Sequence, residues 1–199
     1  MTCYPNFIFI HIPKTGGTSI RAALGQSYFT FPGSDGHRSL DEIHEMFPPS
    51  KDWPSFTVIR DPFERIYSGF RWSEEDIWAR CPARPGDITF SEWVHTEHFL
   101  RHYQTNHVFQ PATRYLTTLP DFGIKFGELH DGYERLRTHC DYWQDRLPPF
   151  PRHKTFPHSN KSINSRNEFQ ERDVNDDARR KIRELYAEEY DIIEKINYI

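Results

Sequence analysis

The chain has 199 residues, enough to build one domain around a real core. Only 36% of it is hydrophobic but 16% is aromatic, so rings must carry much of the burial, and no apolar run approaches the roughly 18 residues of a membrane span. A net charge of −4 argues against coating nucleic acid, and the three scattered cysteines Cys3, Cys81 and Cys140 are too few for a disulfide framework or a zinc cluster.

In chain order, Phe7–His11 is a short apolar run bounded by turn signals, the pattern of a strand buried on both faces. It is too short for the core of a signal peptide, so the expectation is a cytoplasmic chain, reduced unless Cys81 and Cys140 pair. The loop Ile12–Gly17 feeds a helix from about Thr18 to Leu24, ended by Gly25. A strand is expected at Ser27–Phe31, a short helix at Ser39–Phe47 stopped by Pro48 and Pro49, and a buried strand at Phe56–Ile59. Asp61, Pro62 and Glu64 then form a helix start of N-cap, first-turn proline and capping-box acid, with Phe63, Ile66, Tyr67 and Phe70 on one face.

Further on, helices are expected near Phe90–Tyr103, a strand at Phe122–Phe126, a helix at Glu128–Tyr142 and a last helix over Asp176–Ile196. Pro148, Pro149, Pro151 and Pro157 punctuate an irregular basic segment before that helix. Strand–loop–helix alternation predicts an α/β fold with a mainly parallel central sheet. Charge is unevenly spread: Arg146–Asn167 and His98–Pro120 contain no acid, which suggests a local anion site, the alternative being solvated basic loops.

The densest chemical signal is "HIPKTGGTS", His11–Ser19. A strand entering a glycine-rich turn and then a helix aims backbone N–H groups outward at the positive end of the helix dipole. Gly16 and Gly17 permit a sharp turn, Thr18 and Ser19 add hydroxyl donors, and Lys14 adds charge at the entrance. A triphosphatase loop places its lysine after the glycines, and its metal-binding strand ends in aspartate. Here the lysine comes first and Phe56–Ile59 ends in Arg60, which suits a second phosphate better than a metal.

"HIPKTGGTS" together with "VIRDPFERIYSGF" (Val58–Phe70) resembles the two nucleotide-binding signatures of sulfotransferases that use 3′-phosphoadenosine 5′-phosphosulfate. The nearest resemblance is to carbohydrate sulfotransferases of the uronyl 2-O type, with weaker echoes in "PATRYL", "IKFGELHDGYERL" and "ELYAEEYDII". The resemblance implies a three-layer, P-loop-like α/β fold in a single domain, 1–199. In it a nucleotide-binding core (about 5–72 and 121–145) carries an acceptor-side helical insert (about 73–120), then a basic lid and C-terminal helix (about 146–199).

It also implies roles. Lys14, Thr15, Gly16, Gly17, Thr18 and Ser19 would cradle the 5′-phosphosulfate, with Lys14 also catalytic, opposite the departing bridging oxygen. Arg60 and Ser68 would take the 3′-phosphate, and Lys161 and Ser162, with Lys154 and Asn160 as neighbours, would close over the nucleotide. His37 would be the general base toward a carbohydrate hydroxyl, the alternative being a surface turn histidine, and His11 is the second candidate. The product would be 3′,5′-bisphosphoadenosine, and no metal is expected.

Other readings stay open on the residues alone. An ATP- and magnesium-dependent kinase of a sugar or small molecule and a non-catalytic nucleotide-binding module are the rivals. Arg65 is either part of the site or a surface helix residue. His95, His98 and His102 share a helical face and suggest an acceptor-binding wall more than a metal site.

Overall fold

The computed structural model describes residues 6–24, 36–72, 88–148 and 174–199. The expected strand at Ser27–Phe31 and the basic segment holding Lys154, Asn160, Lys161 and Ser162 lie outside them, as does Cys81. Cys140 is exposed and carries a free thiol.

Three parallel strands form the sheet in the order β1 (Ile8–Ile10), β2 (Ser55–Ile59), β3 (Phe122–Lys125). Ile8 pairs with Ser55, and Phe56 pairs with Phe122. Parallel neighbours need a crossover, and helix-bearing segments supply both. Every residue of β2 is buried, as expected of a central strand covered on both faces. The chain end shields the free side of β3: Gly123 N–H donates to Asn197 O at 2.8 Å and Ile199 N–H to Gly123 O at 3.1 Å.

The period-2 alternation of the strands sorts two cores onto the two faces. Phe7, Phe56, Val58 and Ile124 pack with Ile20 and Leu24 of α1 (Gly17–Leu24) and with Tyr133, Leu136 and Trp143. Ile8, Ile10 and Ile59 pack instead with Leu40 of α2 (Leu40–Met46), Tyr115, Leu116 and Ile196. The result is an α/β fold whose sheet carries helices on both faces. Helix α2 is fixed at its start by a reciprocal cap, in which Ser39 and Glu42 each bond the other's backbone N–H.

The chain separates into two compact units. The first comprises Met1–Arg60, Ala112–Ser159 and Ile192–Ile199 and contains the sheet; the second comprises Asp61–Pro111 and Asn160–Asp191. In the second unit, α3 (Pro62–Trp72) packs Phe63, Ile66, Tyr67 and Phe70 against Phe90, Trp93, Phe99, Phe109, Ile182 and Tyr186. The Asp61 carboxylate accepts Glu64 N–H at 3.0 Å, the N-cap role its sequence position predicts.

Two expected helices prove to be shorter pairs, and the helices expected near Phe90–Tyr103 are two. Phe90–Trp93 and Glu97–Thr105 are separated because the Thr96 hydroxyl accepts Phe99 N–H and restarts the chain as a new N-cap. Asp176–Leu185 and Ala187–Ile193 are separated at Tyr186, whose ring is buried and whose hydroxyl bonds Phe109 O. Leu129–Thr138 and Asp141–Gln144 are likewise distinct, with Cys140 extended between them.

Candidate functional site

The carboxyl ends of all three parallel strands feed the same place, the position where open α/β sheets bind ligands. Beyond β1 runs His11–Gly16, β2 is followed by Arg60, and β3 by Phe126. Contacts tie the three together. The Arg60 guanidinium lies 4.3 Å from the Phe126 ring centroid and its Nη1 donates to Lys14 O at 3.3 Å. A side chain at Gly16 would come within 3.1 Å of both Phe126 and Leu129, so the loop sits hard against the segment after β3.

The loop is bent into the left-handed region at two positions, Lys14 (φ 66°) and Gly16 (φ 84°). Glycine adopts this freely, but lysine does so at a cost of order 1 kcal/mol, a strain that concentrates at binding sites. Thr15 between them is buried, and its hydroxyl donates to Ile12 O at 2.8 Å. That bond holds the turn and engages the Thr15 hydroxyl within the loop. Thr18 is exposed and Ser19 half-buried in the first turn of α1, at the positive end of the helix dipole.

Electrostatically the loop is cationic. The Lys14 ammonium is pushed down to about 8, first by burial and then by the Arg60 charge beside it. Lys14 and Arg60 thus stand close enough for the charge of one to lower the other.

His37 stands at the same end of the sheet. Its Nδ1 lies 2.8 Å from His11 O, and since a carbonyl only accepts, Nδ1 carries the proton. In the neutral ring this leaves the Nε2 lone pair as the basic atom. The ring packs 4.3 Å from that of His11 and 6.3 Å from that of Tyr115.

The model of the sulfotransferase family matches residues 3–194. The chain is a member of the sulfotransferase family. No curated protein and no solved structure matches it at a significant level.

Within this sulfotransferase, the first unit brings Lys14–Ser19, Arg60 and His37 to one end of the sheet. Ser68, half-buried on α3, belongs to the second unit. Arg65, open between site and surface in the sequence, is neither. It is fully buried in the second unit, where Nε and Nη2 grip both Glu189 oxygens at 2.9 and 2.7 Å, and Nη1 and Nη2 donate to Val108 O and Gln110 O at 3.1 Å.

The histidine-rich segment of the sulfotransferase is drawn into its own unit. Trp93 Nε1 donates to His98 Nδ1 at 3.1 Å, His98 Nε2 meets His102 Nε2 at 3.2 Å, and His95 pairs with Asp177 at 2.9 Å. Burial lowers His98 and, with the nearby charges, carries His102 down to about 4. Among the described residues no cluster of three or more His, Cys, Asp or Glu could hold a metal, and no helix is long and apolar enough to cross a membrane.

Sequence reasoning missed Phe126 as the plate under Arg60. The fragment "IKFGELHDGYERL" marked the right segment, but nothing in it said which face of the ring would be used.

Proposed function

We propose that this sulfotransferase moves a sulfuryl group from 3′-phosphoadenosine 5′-phosphosulfate to a carbohydrate hydroxyl, in the manner of the uronyl 2-O enzymes, with both units forming one catalytic domain. The observation that carries the reading is the pairing of Lys14 with Arg60 around a left-handed turn at the carboxyl end of the sheet. The donor set is cationic and rich in backbone N–H, which fits a nucleotide with two separate anionic groups.

The bound nucleotide supplies an activated sulfuryl group and a stable phosphate leaving group. Lys14 neutralises charge that develops on the leaving oxygen, and the first turn of α1, with Gly16, Gly17, Thr18 and Ser19, holds the 5′ anion. Arg60, braced by Phe126, takes the 3′-phosphate; Ser68, Lys161 and Ser162 are proposed as further contacts. His37 accepts the acceptor hydroxyl's proton at Nε2 while the His11 carbonyl fixes its Nδ1–H. No metal is required, because fixed cations and dipoles already meet the developing charge.

Calorimetry with 3′,5′-bisphosphoadenosine, Mg–ATP and AMP tests the reading. Metal-independent binding of the bisphosphate above the other two is expected; a clear preference for Mg–ATP sinks the reading in favour of a kinase. Binding of the bisphosphate by a protein that transfers no sulfuryl group leaves a nucleotide-binding module. His37→Ala is expected to abolish transfer and keep bisphosphate affinity, and a collapse of that affinity refutes its role as base.

A further inference from the structure

The two loop glycines answer different demands. Gly16 has φ 84°, which explains glycine there by backbone conformation. Gly17 is outside the left-handed region, so its backbone would accept alanine. What forbids a side chain is His11: a Cβ on Gly17 would lie 1.8 Å from the ring's Cδ2 and Nε2 and 2.6 Å from Cε1. The imidazole therefore occupies the volume that a side chain on the first residue of α1 would fill.

That ring is 8% exposed and is held on more than one side. Phe9 stacks on it at 5.7 Å with the planes 19° apart, and His37 lies over it at 4.3 Å with the planes 39° apart. The same residue's carbonyl takes the His37 Nδ1–H. One residue thus touches the first turn of α1 with its ring edge and holds the His37 imidazole with both ring and carbonyl.

We propose that His11 is a positioning residue for sulfuryl transfer, a flat spacer that sets the His37 ring against the loop and that Gly17 exists to admit. This rests on the reading of His37 as the base. The role belongs to the shape of the side chain, because its backbone carbonyl survives any substitution. A misplacement of about 1 Å between base and reacting centre can cost about 100-fold in rate without weakening binding.

The test measures kcat, donor KM and bisphosphate affinity for His11→Ala, His11→Leu, His11→Phe, Gly17→Ala and the His11→Ala/Gly17→Ala double variant. His11→Ala should lower kcat about 10- to 100-fold with donor KM and bisphosphate affinity held within about twofold. His11→Phe, which keeps a flat ring, should regain most of that loss. Should His11→Ala not fold, His11→Leu, with comparable bulk but no flat face, must show the same kcat loss. Gly17→Ala should cost more beside His11 than once His11 is alanine, since the clash is then gone.

Unchanged kcat in His11→Ala and His11→Leu overturns the proposal. So does equal loss in His11→Phe, which would mean that the imidazole nitrogens themselves are needed, and so do additive losses in the double variant. If the wild type transfers no sulfuryl group, the proposed function fails separately. The positioning is then read from imidazole proton NMR. His11→Ala must shift the His37 resonances and leave those of exposed His130 in place, and unmoved His37 resonances refute it.

Discussion

Arg60 and Arg65 stand five residues apart and live in opposite electrostatic worlds. Arg65 is fully buried, with a carboxylate gripped by two of its nitrogens and two backbone carbonyls completing its donors. Arg60 is half-exposed, lies on the Phe126 ring, and its charge presses on a neighbouring lysine. A cation matched inside the protein is structural. A cation set beside another cation suits an anionic ligand, the role proposed for Arg60.

The largest expected effect comes from unmatching Arg65. Glu189→Ala strands a buried guanidinium and should cost about 3–5 kcal/mol of stability, read from the shift in denaturant midpoint. Replacing Arg65 and Glu189 together by Met and Leu should recover most of it. If the single variant proves mild, Arg65 is not the closed ion pair described here and the contrast fails.

Lys14→Ala should act on the other side of the contrast. Turnover under saturating donor is expected to fall about 10²–10³-fold, while the thermal midpoint holds or rises because a buried, repelled charge is gone. A loss of stability in place of turnover would make Lys14 structural, like Arg65.

The smallest effect sharpens the comparison through pH. Burial and the Arg60 charge lower Lys14 from 10.5 to about 8, and an anion beside it favours the charged form. Binding therefore takes up a proton above that pH. The affinity for 3′,5′-bisphosphoadenosine should fall about tenfold between pH 7 and pH 9, and Lys14→Met should flatten the slope. An affinity level across this window in the wild type would show that Lys14 does not meet the ligand.

Much of the first unit was legible because its signals are local. Apolar runs ending in "HIPKTGGTS" and in Arg60 marked two strands and the loop between strand and helix, and in the second unit Asp61–Pro62 marked where α3 begins. The break at Tyr186 was not legible. Periodicity runs straight through it, and the buried Tyr186 there caps one helix and bonds Phe109 O, a residue far away along the chain. Arg65 was ambiguous for a similar reason: its carboxylate lies 124 residues away, and no spacing rule connects them.

By itself the sequence determined the strand–loop–helix order, the cationic loop and the family signature, because these depend on neighbours along the chain. The tertiary structure alone decided that Arg65 closes on Glu189 while Arg60 stands beside Lys14. It also showed that Gly16 answers to backbone conformation and Gly17 to the His11 ring, and that Phe126 carries Arg60. Those outcomes depend on distances between residues brought together only when three parallel strands end at the same edge, and sequence periodicity carries no such distance.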